Sequence, residues 1–198
     1  MLDYTEYLER YPWLRGYDPY PDPNEPSSCA LSWLPIGWVE AFGEELCQEL
    51  DMALRKTEEY ADAYVVEAKE KFGELRMWIH PSNEEIEQIL MKYEAISAHV
   101  CMCCSAIDIP MLNIGRWLSV YCRHCYDSMN GDGRQKPYDE VVAGDAEIPA
   151  VVKWGRFSVD KREDFEMYIS ETIEKIRERY KQRMANGEID AIRKEREE

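Results

Sequence analysis

The residues in this chain best placed to do chemistry are Cys101, Cys104, Cys122 and Cys125. They form two Cys-x-x-Cys pairs with seventeen residues between them. Two intervening residues let a tight turn aim both sulfurs of a pair at one point, and the double spacing is that of a tetrahedral thiolate site for zinc. Four thiolates close the coordination shell. The expected role is therefore structural, because a catalytic zinc keeps three protein ligands and one open position for water. Cys103 and His124 sit inside the two knuckles and stand as alternative ligands.

The remaining residue types do not assemble into a catalytic pattern. No HExxH helix is present, and the glutamate that works beside zinc in nucleobase deaminases does not accompany these cysteines. The chain has three histidines, and none follows Cys125, which argues against a ββα-metal nuclease. Glycine-rich phosphate loops are missing. Asp127 to Gly133 superficially resembles a calcium loop but lacks the ligand order and terminal glutamate of an EF-hand, so a plain turn is expected. Cys29, Cys47 and Cys103 lie in no nucleophile motif and are expected to be small buried apolar residues. The chain is expected not to be an enzyme.

Positioning the four sulfurs requires a ribbon. Residues 110–114 and 116–121 read as the strands of a short hairpin that turns at Gly115. Ahead of it, residues 37–57 carry Val39, Phe42, Leu46, Leu50 and Leu54 at helical spacing. Residues 64–69 and 75–80 read as a second hairpin, with the turn at 71–74 and Leu75, Met77 and Ile79 on one face. Ser82 and Glu85 form a capping box for a helix whose inward stripe is Ile86, Leu90, Tyr93, Ile96 and Val100. A helix over 160–185 carries Phe165, Ile169, Ile173, Ile176, Tyr180 and Met184, and Asn186-Gly187 should stop it. That stripe either packs back on the body or supports self-association. The last ten residues are charged and expected to fray.

The expected fold class is α+β: a helix–β-hairpin–helix body, a four-cysteine zinc ribbon and a long C-terminal helix. The chain divides into four stretches: an aromatic and proline-rich arm over 1–35, the core over 36–130, a loop with a possible strand at Val151-Val152-Lys153-Trp154 over 131–158, and the C-terminal helix with its charged tail over 159–198. Within the arm, residues 1–12 suit a short helix, and the rest is expected to wrap the body and bury its aromatics.

The chain has 198 residues, 45% of them hydrophobic, and a formal net charge of −16. Residues 156–198 carry 11 basic and 12 acidic side chains, so nearly all of the excess lies in the first 155 residues. Such a surface repels phosphates and lowers the expectation of direct nucleic-acid binding, the commonest use of zinc ribbons. No apolar run is long enough to span a membrane. The acidic N-terminus lacks the features of a signal peptide, and paired Cys-x-x-Cys motifs suit a reduced compartment, so a cytoplasmic location is expected.

Residues 36–126 resemble a widespread family of small bacterial and phage proteins. The matching pieces are Gly37-Trp38, Lys69-Glu70-Lys71-Phe72-Gly73-Glu74-Leu75-Arg76, Ser97 to Cys104, and Gly115-Arg116-Trp117 ahead of Cys122-Arg123-His124-Cys125. In that family the second pair is often Cys-x-x-His, whereas here Cys125 takes the last place. The resemblance implies the zinc site and the helix–hairpin–helix–ribbon order, and no activity.

Phage-like resemblance, acidity and the lack of catalytic groups point to a mobile-element accessory protein. Its sharpest form is an acidic inhibitor of a host CRISPR-type nuclease, which holds nucleic acid in a positively charged channel. Glu40, Glu44, Glu45, Glu49 and Asp51 are the expected partner-binding face. The alternative is a zinc-ribbon nucleic-acid or transcription accessory factor using Arg116, Trp117 and Arg123, with Arg134, Lys136 and Lys153 nearby. Against that alternative, Trp117 is expected in the core.

Overall fold

The computed structural model describes residues 4–17, 28–115, 117–131, 133–143 and 159–195, the side chains of 159–165, 192 and 195 excepted. The fold is α+β, as its periodicities require. A short helix α1 (Tyr4–Arg10) and 3-10 turns at Pro12–Leu14 and Ala30–Trp33 precede the first long helix, α2. This runs in three continuous segments: α over Ile36–Trp38, π over Val39–Gly43 and α again over Glu44–Leu54. The predicted stripe Val39, Phe42, Leu46, Leu50 and Leu54 is buried throughout.

Strands β1 (Tyr64–Lys71) and β2 (Glu74–His80) pair antiparallel around a two-residue turn. Both turn residues take positive φ, Phe72 at 59° and Gly73 at 77°. That combination matches the right-handed twist of the flanking strands. Gly73 is also close-packed, since a Cβ there would lie 3.2 Å from Met111 and 3.3 Å from Val120 of the ribbon. Val65, Ala68, Leu75, Met77 and Ile79 form the inner face of this hairpin and are buried.

Helix α3 (Glu84–Ser97) covers that face with Ile86, Ile89, Tyr93 and Ile96, while Leu90 is only partly buried. Its start corrects the predicted capping box. Asn83, not Ser82, is the N-cap: its backbone is extended and its side chain accepts from the Ile86 amide at 3.0 Å. An Asn carbonyl one residue before the helix reaches the third helical amide directly, which leaves Ser82 outside. The arm joins the same core through Tyr11, Trp13, Leu14, Leu31 and Leu34.

Among the described residues Asp51, Glu74 and Lys92 are the buried charged ones, and Lys92 is the deepest. The Lys92 side chain has no exposed surface, donates to Glu49 at 2.5 and 2.6 Å, and lies against the rings of Tyr93 and Tyr168. A buried ammonium persists only when paired and hydrogen-bonded in this way. Burial lowers its pKa, opposed by Glu49.

The ribbon strands β3 (Leu112–Ile114) and β4 (Trp117–Ser119) are shorter than their sequence suggested and turn at Gly115 with φ 59°. Helices α4 (Arg123–Met129) and α5 (Tyr138–Val141) come next, and Leu112 bridges to Val142. The predicted strand at residues 151–154 falls outside the described residues.

Helix α6 (Val159–Ala185) packs back on α3 and on the π segment of α2, burying Ile176 and partly burying Ile169 and Ile173. Met184 is 36% exposed, so the stripe ends before it. Gly187, at φ 76°, stops the helix as predicted. The expected frayed tail is corrected by the structure: residues Glu188–Glu195 form a further helix, α7, whose Ile189 is fully buried against the cysteine cluster. Charge-dense sequence hid the apolar anchor Ile189 there.

Candidate metal centre

Two knuckles bring the four cysteines together. The first is the turn from Cys101 to Cys104, tied by the Cys101 amide to Ala106 O at 2.7 Å and the Ser105 amide to Cys101 O at 3.3 Å. Ser105 takes φ 65°, a left-handed conformation that glycine adopts without cost. Its hydroxyl explains the serine: it donates to Glu40 Oε2 at 3.3 Å and accepts from Arg183 Nη1 at 3.4 Å. The second knuckle opens α4, with Cys122 at the N-cap and Cys125 in the first turn. Backbone amides at a helix start favour anionic sulfur. The Cys122 amide donates to Cys101 Sγ at 3.3 Å and links the two knuckles.

All four sulfurs lie within 4.8 Å of one another, and all four residues are buried. Cys104 Sγ and Cys122 Sγ are 3.6 Å apart. A tetrahedron with zinc–sulfur bonds of about 2.3 Å has edges of about 3.8 Å. The same spacing is far beyond a disulfide bond of about 2.05 Å. The sulfurs also polarise one another. Cys104 is drawn down to about 6 and Cys122 lower still, each first through Cys101. Cys101 and Cys125 are pushed up, first through Cys104 and Cys101 respectively. Such a cluster holds four negative charges only around a cation, so the donor set fits one thiophilic divalent metal. When bound, zinc supplies a closed tetrathiolate node that fixes one knuckle to the other.

The alternative ligands are not drawn in. His124 is exposed, Cys103 is partly buried, and neither belongs to the group of four. Cys29 and Cys47 are buried as expected, and burial raises both thiols.

The five carboxylates of the expected partner face do line α2, but they do not form a free surface. Glu40 pairs with Arg183 at 3.2 Å, and Glu45 pairs with Arg179. Glu44 accepts from Arg10, Tyr11 and Gln48, and Glu49 holds Lys92 and the Tyr93 hydroxyl. Asp51 accepts from Trp13 Nε1, Tyr60 and Arg55. This corrects the sequence reading. Helix periodicity placed the carboxylates opposite the apolar stripe, but α1 pairs with Glu44 and α6 with Glu40 and Glu45, while α3 holds Glu49 and Trp13, Tyr60 and Arg55 hold Asp51. Arginines 134 to 143 residues away gave no local signal for those pairings.

The residues of the alternative reading divide. Trp117 corrects its expected place in the core: it is 67% exposed and stacks on Phe72 with ring centres 6.2 Å apart. Arg123 is exposed, pairs with Asp139 and covers the Tyr138 ring. Arg134 and Lys136 are exposed, while Arg116 and Lys153 fall outside the described residues.

Sequence reasoning missed Arg193. Its Nη2 lies 3.9 Å from Cys104 Sγ, 4.0 Å from Cys122 Sγ and 3.3 Å from Tyr180 Oη. The available signal was Ile189 four positions earlier, an apolar residue on the same helix face.

No family model, no curated protein and no solved structure matches this chain.

Proposed function

We propose that this chain is a non-enzymatic binding protein, stapled by one structural zinc ion, that acts in the cytoplasm by protein–protein contact. The observation carrying this reading is the closed cage of four buried thiolates, which leaves no ligand position for water or substrate. Among the described residues, no helix is long and apolar enough to cross a membrane.

The concrete form of the proposal is a phage or mobile-element inhibitor of a host CRISPR-type nuclease. The net charge of −16 supports it, and so does a second group of carboxylates. Glu58, Glu59 and Asp62 lie just beyond the end of α2, and Glu84, Glu85 and Glu87 open α3, all on exposed side chains. Lys56 joins the two stretches through Glu85 at 2.5 Å. Titrating the zinc-loaded chain into cleavage reactions of CRISPR effector nucleases tests the idea. Inhibition that weakens with salt, and is lost in Glu58→Lys/Glu59→Lys/Asp62→Lys, supports it. Absence of inhibition across the panel overturns this concrete form.

One observation favours a second reading, a nucleic-acid accessory factor. The exposed Trp117–Phe72 stack borders a cleft of ≈ 980 Å³ whose lining includes Tyr126, Arg134 and Lys136. Aromatic faces beside basic side chains suit single-stranded nucleic acid. Retention on single-stranded RNA or DNA at moderate salt, abolished by Trp117→Ala, would move the assignment there.

A further inference from the structure

We propose that Arg193 is an outer-shell residue of the metal centre, and that through it the docking of α7 and the end of α6 depends on the metal. The proposal rests on the zinc reading above. Nη2 of Arg193 reaches both Cys104 and Cys122, one sulfur from each knuckle, and also the Tyr180 hydroxyl. Its Nε is buried with no hydrogen-bond partner among the described residues, and the side chain is 18% exposed. The remaining carboxylate contact, Asp190 at 3.6 Å, is 70% exposed and therefore weak.

A guanidinium in that position requires a counter-charge, and a zinc ion with four thiolates provides a net charge of about −2. Arginine suits the role because its rigid fork directs several N–H groups at once and it stays charged when desolvated. Ile189, fully buried beside the same sulfurs, fixes the helix turn that carries it. The contact therefore places a charge-assisted N–H donor on two metal ligands, the position from which outer-shell groups set ligand basicity and metal retention.

The coupling extends along α6. Arg183 binds Glu40 and Ser105, and Ser105 is the residue after Cys104. Arg179 binds Glu45 and the Ala41 carbonyl. Linkage is reciprocal: if the metal holds Arg193 in place, Arg193 holds the metal to the same extent. Loss of zinc then loosens α7 and relaxes the cover over Glu40 and Glu45.

The test uses the full chain loaded with zinc, as wild type, Arg193→Met, Arg193→Lys and Arg177→Met. The last removes an α6 contact with Asp108 and leaves the sulfurs untouched. Three quantities are measured: zinc loss to a chelator, hydrogen exchange of α6 and α7 with and without zinc, and the sulfur-to-cobalt charge-transfer band of the cobalt form. Arg193→Met should bind one zinc about 10-fold more weakly. Its α7 should exchange like that of the zinc-free wild type, and its cobalt band should shift. Arg193→Lys should recover retention in part, and Arg177→Met should match wild type in zinc loss and spectrum. Wild-type retention, spectrum and α7 protection in Arg193→Met would overturn the outer-shell role of Arg193 while leaving the zinc reading intact. A chain that takes up neither zinc nor cobalt overturns both.

Discussion

Among the described residues are two antiparallel hairpins, held by different forces. The β1–β2 hairpin has strands of eight and seven residues and buries a whole apolar face under α3. The β3–β4 hairpin has three-residue strands, and its exposed end carries Trp117. Three residue pairs on a half-wet ribbon do not make an independently stable sheet. The first hairpin is specified by burial. The second is placed by the cysteine knuckles at its two ends, so its stability is conditional on what those cysteines hold. A motif drawn identically in two places thus answers to different perturbations.

Removing the metal should separate the two most strongly. Chelation, or Cys104→Ser, should melt the ribbon and leave β1–β2 protected from hydrogen exchange, because structural zinc contributes on the order of 10 kcal/mol to the elements it closes. Concerted loss of both hairpins would break the comparison. The reverse experiment is Leu75→Ala, which opens a cavity under α3 and should cost about 2–5 kcal/mol in denaturant unfolding while zinc stoichiometry stays at one.

The seam between the two regions gives a smaller and sharper test. Gly37 opens α2 directly against the first knuckle: its amide donates to Met102 O at 3.0 Å, and a Cβ there would lie 2.2 Å from Cys101 O. Gly37→Ala should cost about 1–3 kcal/mol and weaken zinc retention together, since the clash is with knuckle backbone. Stability loss with unchanged retention would show that the regions are uncoupled there.

The smallest effect concerns pH. Arg177 holds the Asp108 carboxyl below its ordinary value. Their ion pair therefore stabilises above about pH 4 and is lost as pH falls through the lower folded value. The stability difference between wild type and Arg177→Met should accordingly shrink under acid. A difference that is constant from neutral to acid would refute this account of the α6–ribbon contact.

Local patterns made most of the fold legible. Period-3.6 stripes marked α2, α3 and α6, alternation marked β2, and glycines marked the turns at Gly73, Gly115 and Gly187. Cysteine spacing identified the four-cysteine cluster because two-residue gaps constrain geometry strongly. Long-range electrostatics was not legible. The charge pattern of α2 is the same whether its carboxylates face water or arginines from the other end of the chain. Lys92 and Arg193 were invisible for a related reason: a charged residue in a helix reads as solvated until its partners are placed. Trp117 shows the opposite error, a large apolar residue expected inside but left outside by a ribbon too thin to bury it.

The separation of Arg193 from Cys122 by 71 residues has a consequence for the order of assembly. During synthesis from the N-terminus, Cys125 emerges and can complete the cage well before α7 exists, and domains fold as their parts appear. At that stage the four thiols of the nascent ribbon have their C-terminal side open. Only afterwards does α7 arrive and close over them. If the cage takes its metal at that stage, the ion enters from the side that α7 later covers, and the nascent chain exchanges it more readily than the finished one.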